Sequence, residues 1–167
     1  MEQALTLLQL NSLVRQSIEV CMPDSYWIQT ELSEVRNNSN GHCYLEFIEK
    51  DRAGNNIIAK AKGTIWSNTY RVLRKKFEEL TNQTLSSGLR VLVKVNVSFH
   101  ELYGYSLNVT DIDPSFTIGE MALRRQQILN QLEEEGILHL NKELSFPMLP
   151  TRIAVISSST AAGYDDF

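Results

Sequence analysis

The stretch 41–66, GHCYLEFIEKDRAGNNIIAKAKGTIW, constrains the fold of this chain more than any other. Its two arms alternate in polarity about a polar turn that contains Gly54. On the first arm Cys43, Leu45 and Phe47 fall on one side, and His42, Tyr44 and Glu46 on the other. On the second arm Ile57, Ala59, Ala61 and Ile65 share a side, opposite Lys60, Lys62, Thr64 and Trp66. Side chains of a strand point to alternate faces, so the period predicts a β-hairpin with one apolar face. The other face interleaves lysines with aromatic rings. Unpaired nucleic acid asks for that combination, because cations meet its phosphates and flat rings stack on its bases.

The flanking segments extend the pattern. Residues 6–20 read as a helix with a Thr6–Gln9 capping box and an apolar stripe of Leu7, Leu10, Leu13, Val14 and Ile18. Residues 26–35 alternate as a strand, with Ile28, Thr30 and Leu32 on one side. After Trp66 the period lengthens to that of a helix, with Ser67 as its cap and Tyr70, Leu73, Phe77 and Leu80 on its apolar face. Val91, Val93, Val95, Val97 and Phe99 then mark a fourth strand, and residues 105–112 a fifth. Three strands, a helix and two strands is the element order of an OB-fold, a five-stranded Greek-key barrel that binds oligonucleotides or oligosaccharides. The expected class is therefore mainly β with flanking helices.

Asp113-Pro114 closes this unit, and a helix is expected over 117–135, capped by Thr117 with Glu120. Residues 152–156 form a short apolar run followed by a small-residue loop, SSSTAAG. Many α/β domains open that way. The expected organisation is an N-terminal helix over 1–23, the barrel over 24–115, a connecting helix and linker over 116–150, and the truncated start of an α/β domain, with its first strand over 152–156, at 151–167.

Charge sharpens the choice of ligand. The whole chain carries −4, which argues against a polyanion partner. Residues 41–100, however, hold ten Lys and Arg against five Asp and Glu, a local +5, and local sign is what a phosphate chain meets. The helix after Trp66 supplies four of those cations and could be merely a solvated face. Two isolated cysteines, Cys21 and Cys43, make neither a disulfide framework nor a zinc site. No apolar run is long enough to span a bilayer, and no signal peptide is legible. A reduced, cytoplasmic setting without metal, cofactor or membrane is expected.

Several local motifs, in order and at matching spacing, resemble the exodeoxyribonuclease VII large subunit family from about Leu5 to Phe167. They are Glu31-Leu32-Ser33, Gly41-His42 with Tyr44, the valine strand after Gly88, and Tyr103-Gly104-Tyr105 with Leu107. LEEEGI at 132–137, Leu149-Pro150 with RIAVI at 152–156, and SSTAAGYDD at 158–166 complete the series. The resemblance implies an OB-fold that binds single-stranded DNA ahead of a nuclease domain. It also implies hydrolysis from either end to acid-soluble oligonucleotides, and assembly with several copies of a small helical subunit through a region beyond residue 167. By the same resemblance Asp166 is the counterpart of a candidate catalytic aspartate, with Asp165 as the neighbouring alternative. The chain departs from the family at Thr30, Asn40 and the 160–163 loop.

The residues expected to bind DNA are Tyr44, Lys60, Lys62, Trp66, Lys94, Tyr103 and His42. Each has a plainer reading. Trp66 could pack in the core, Tyr44 could offer a structural hydroxyl, and Lys60 and Lys62 could be solvated strand lysines that deter edge pairing. His42, after Gly41, could be a hydrogen-bond donor that stabilises the turn. Asp166 could cap a helix. The rival function is a non-enzymatic OB module that binds an oligosaccharide or a protein partner.

Overall fold

The computed structural model describes residues 4–51, 53–54, 56–145, 148–149, 152 and 154–157. The described residues up to Arg125 form one compact unit and those from Gln126 onward another. In the first unit, helix α1 (Leu7–Cys21) precedes strands β1 (Ser25–Asn37), β2 (Cys43–Lys50) and β3 (Ile57–Ile65). Helix α2 (Ser67–Thr81), strands β4 (Arg90–His100) and β5 (Gly104–Asp113) and helix α3 (Pro114–Glu134) follow. The strands close into a barrel in the order β1-β2-β3-β5-β4.

One long strand makes closure possible. The first half of β1 pairs antiparallel with β4, from Ser25 opposite Asn96 to Glu31 opposite Arg90. Its second half pairs with β2, as far as Asn37 opposite Cys43. The register shifts between Leu32 and Glu34, and such a bulge bends a strand so that it can serve two neighbours. The barrel is sealed by a short parallel seam in which Gly63 faces Leu107 and Thr64 faces Asn108. Gly63 is required there. A Cβ at that position would lie 2.3 Å from a ring carbon of Phe47, which is itself buried.

The interior is set by the alternation of the strands. Cys43, Leu45 and Phe47 point inward from β2, and Val91, Val93 and Val95 from β4. Helix α2 belongs to the same core through Leu73 and Phe77, the latter with no exposed surface. Truncating a buried Phe to Ala costs about 3–5 kcal/mol. Leu80, expected on that apolar face, is exposed instead, because it lies near the end of the helix, past the last side chain that reaches the core.

The two helices that flank the barrel differ from the sequence expectation, α1 in its burial and α3 in its start. Thr6 and Gln9 do form the reciprocal capping box of α1, and the helix leans on the β4–β5 turn through Asn11 Nδ2 donating to the Glu101 carbonyl at 2.9 Å. Yet Leu7, Leu10 and Leu13 of its stripe are exposed. Helix α3 begins at Pro114 rather than Thr117. Asp113 Oδ1 accepts from the Ser115 N–H at 2.9 Å, and proline at the first helical position needs no hydrogen bond of its own. Thr117 is buried one turn later, where its hydroxyl donates to the Arg90 carbonyl at 3.1 Å.

The second unit holds the remainder of α3 and a four-residue helix α4 (Leu140–Glu143). Arg152 and residues 154–157 adopt neither helix nor strand. The parallel strand expected over 152–156 is therefore absent from those described residues, and none of the strands named above pairs with them. A strand needs a neighbour for its backbone groups. Asp165 and Asp166 lie outside the described residues.

Candidate nucleic-acid interface

The outer face of β2–β3 is built by register. Tyr44 stands beside Thr64 on one side and Arg36 on the other. One step along, Glu46 stands between Lys62 and Glu34. Thr64 leads across the seam to Asn108. Tyr44, Lys60, Lys62 and Trp66 are all exposed, so the hairpin presents the polar face that its alternation predicts.

Trp66 is not a core residue. It is 53% exposed and serves as the N-cap residue of α2 without a side-chain bond to the helix. The cap comes from elsewhere. His42 Nδ1 accepts from the Ser67 N–H at 3.0 Å, which satisfies one of the free donors at the helix start. His42 is thus an acceptor toward α2 rather than a donor in its own turn, and Ser67 is the capped residue rather than the cap. The His42 ring also meets Trp66 edge-on, with centroids 5.0 Å apart and planes at 87°. The imidazole therefore braces the indole at the end of β3, beside the exposed strand face.

Charge on this face is more balanced than the segment total implies. Lys60 Nζ lies 2.7 Å from Glu46 Oε1, and Ser33 Oγ donates to the other oxygen of that carboxylate at 2.7 Å. The Lys60 ammonium, then the Ser33 hydroxyl, hold the Glu46 carboxyl below its ordinary range. Elsewhere Lys50 pairs with Glu31, Arg74 with Glu78, Lys75 with Glu79, Lys76 with Asp111 and Arg90 with Glu120. Among the described residues of 41–100, Lys62, Arg71 and Lys94 are the cations outside any ion pair. Three of the four cations on α2 are paired, so that helix is mostly a solvated face. Arg71 lines a polar groove of about 930 Å³ between residues 37–41 and α2, next to Ser67.

Two expected residues stand apart from this face. Lys94 lies on β4, opposite Trp27 of β1 and Asp111 of β5. Strand order puts β1 on one side and β5 on the other between it and the β2–β3 hairpin. Tyr103 is 79% exposed in the β4–β5 turn, with its ring 4.8 Å from that of His100. Sequence reasoning passed over Arg36 and Tyr105. Arg36 falls beside Tyr44 only through the β1–β2 register. Tyr105 is an exposed ring at the start of β5, and its place in the Tyr-Gly-Tyr motif was the available signal.

A closed five-stranded barrel with an exposed, ring-bearing β2–β3 face has the architecture of an oligonucleotide- or oligosaccharide-binding module. The model of the OB-fold nucleic acid binding domain matches residues 5–113, and the chain belongs to that family. Its curated relatives include the exodeoxyribonuclease 7 large subunit of Deinococcus radiodurans, 36% identical over 170 residues, covering 99% of this chain and 40% of that protein. The exodeoxyribonuclease 7 large subunit of Xylella fastidiosa strain M23 is 33% identical over 164 residues, covering 96% of this chain and 33% of that protein. The chain thus spans between a third and two fifths of the length of these relatives. Among solved structures, the Cdc13 DNA-binding domain complexed with a single-stranded telomeric DNA 11-mer is 12% identical, covering 72% of this chain and 86% of that chain at a TM-score of 0.40. The fold assignment rests on strand order and the family match. No described helix is long and apolar enough to cross a membrane.

Proposed function

We propose that this chain is the single-stranded-DNA-binding portion of an exodeoxyribonuclease 7 large subunit. The observation that carries the reading is the outer face of β2–β3, where Tyr44, Lys62 and Trp66 are exposed together. Rings supply sequence-tolerant stacking, and Lys62 and Lys60 supply phosphate contacts. The names of the curated relatives support the nuclease context. In the whole protein this module would hold DNA for hydrolysis to acid-soluble oligonucleotides, in complex with the small subunit, in cytoplasmic DNA catabolism and repair. Asp166 is the proposed catalytic carboxylate of this segment. The 167-residue chain by itself is expected to leave single-stranded DNA intact, because no acid or base elsewhere in it is proposed to work with Asp166.

Titration of Trp27 and Trp66 fluorescence with oligo-dT at a series of salt concentrations tests the binding. The expected log–log slope is about −0.7 per neutralised phosphate. Trp66→Ala should weaken binding by about 1–3 kcal/mol, the usual worth of one stacked base. Binding that ignores salt would favour a neutral oligosaccharide or protein ligand, and no binding would remove the proposal.

A further inference from the structure

The barrel is not sealed along its whole length. β3 meets β5 only at Gly63–Leu107 and Thr64–Asn108. Before that seam, a cavity of about 210 Å³ opens between the first half of β3 and the start of β5. Its walls include Ile28, Phe47, Ala59, Ala61 and Leu107, and Tyr105 lines it as a ring 47% exposed. The two alanines keep the space open; larger side chains there would fill it.

Two polar groups lie at this slot without commitments. Neither Gln29 nor Glu49 makes a side-chain hydrogen bond or ion pair among the described residues, and both line the cavity. Lys60 lines it as well, while its ammonium is held by Glu46. The slot is thus an apolar cleft with an aromatic wall, uncommitted hydrogen-bonding groups, and a cation that also belongs to the proposed phosphate-binding face.

We infer that this slot takes one unstacked nucleobase of the bound strand, with Tyr105 as its stacking partner. The inference rests on the single-stranded DNA reading and adds a base-binding subsite to it. Volume selects the occupant. The cavity is smaller than the roughly 300–1,000 Å³ of a drug-sized ligand site, so it suits a single flat ring rather than a whole nucleotide. The phosphates stay outside, on the Lys60 and Lys62 face. Glu49 only accepts hydrogen bonds when ionised, so the slot favours a base whose edge presents an amino group. Cytosine does so, whereas thymine shows a single N–H between two carbonyl oxygens.

The experiment is fluorescence anisotropy of short oligo-dC and oligo-dT with the 167-residue chain, using strands with and without one abasic position. The expected result is tighter binding of oligo-dC, and loss of about tenfold in affinity on Tyr105→Ala, within the range for one base–aromatic stack. Ala59→Leu, which plugs the slot while keeping Tyr105, should weaken binding similarly. Removing the base should cost the wild type as much as Tyr105→Ala does, and cost the Tyr105→Ala chain little more. Both substituted positions are well exposed, so thermal melting should stay near wild type. If Tyr105→Ala and Ala59→Leu bind like wild type while Trp66→Ala binds weakly, the slot is overturned and the DNA reading stands. If no oligonucleotide binds, both fall.

Discussion

Glu46 sits where a DNA-binding face should not want an acid, and neutralising it gives a sharp test. The Glu46→Gln substitution keeps the shape of the side chain and an oxygen able to accept from Ser33. It removes the charge that holds Lys60 at 2.7 Å. A phosphate seated on Lys60 would lie about 6–7 Å from the carboxylate, where two like charges in water repel by about one RT, a factor of about three in affinity. A Debye length of about 8 Å at physiological salt trims that factor, so the gain is largest at low salt. Lys60 also becomes free to neutralise a phosphate fully, which should steepen the salt slope by about 0.7. The assay is oligo-dT binding across a salt series, wild type against variant.

The same carboxylate gives a pH signature. Its folded value is depressed, first by Lys60 and then by Ser33. It therefore stays ionised somewhat below the ordinary carboxylate range. As pH falls through that depressed value, wild-type affinity should rise toward that of Glu46→Gln, whose own affinity should be flatter there. The stabilising contribution of the pair follows the usual sign for a depressed acid: present above the unfolded carboxyl range and lost as pH falls through the folded value. Identical salt curves for wild type and variant would refute the argument, since Glu46 would then not share the field that the DNA meets.

Three further outcomes follow from the geometry. Gly63→Ala should destabilise the barrel by about 1–3 kcal/mol, the cost of overpacking, because the new Cβ meets the buried Phe47 ring at 2.3 Å; an unchanged midpoint in urea would contradict it. His42→Ala removes the acceptor at the α2 start and should cost about 1 kcal/mol, the worth of a helix cap, with the Trp66 emission changing as its ring partner is lost; equal melting temperatures would count against that role. Native protein should show one fast thiol toward a thiol reagent, Cys21, which is exposed. Cys43 should react only on unfolding, because burial pushes its thiol up to about 11, against the lowering from its hydrogen bond with Tyr70; two equally fast thiols would refute this.

On β2 the alternation that predicted the strand also predicted which way most side chains point, whereas Ile57 and Ala59 of β3, expected on the buried side, are exposed because β3 has no β5 neighbour before Gly63. Cys43, Leu45 and Phe47 are buried and Tyr44 is exposed, because a pleated strand has no other way to separate apolar from polar groups. The helix caps were less legible. Asp113 and Thr117 both satisfy the local rule for a helix start, and only packing decides between them. Thr117 finds the Arg90 carbonyl, which is 27 residues away in sequence, and Asp113 caps the helix. His42 was legible as a residue with a structural task but not as the cap of a helix 25 residues later.

Site residues divide along the same line. Tyr44, Lys60, Lys62 and Trp66 lie on one hairpin, where local period suffices to bring them together. Lys94 looked equivalent by charge, but closure in the order β1-β2-β3-β5-β4 carries it to another wall. Composition likewise counted cations without their partners, and Glu46 and Glu31 meet Lys60 and Lys50 only through strand pairing.

By itself, then, the sequence determined the element order, the inward and outward sides along most of β2 and the first half of β4, and hence the barrel class and its ring-and-lysine hairpin. Those follow from short-range steric and solvent preferences that repeat every two or four residues. Only the tertiary structure decided which cations remain free, which histidine braces Trp66, and where the β3–β5 seam opens beside Tyr105. Those depend on contacts between residues far apart in the chain, and nothing in a local period records how a barrel will close.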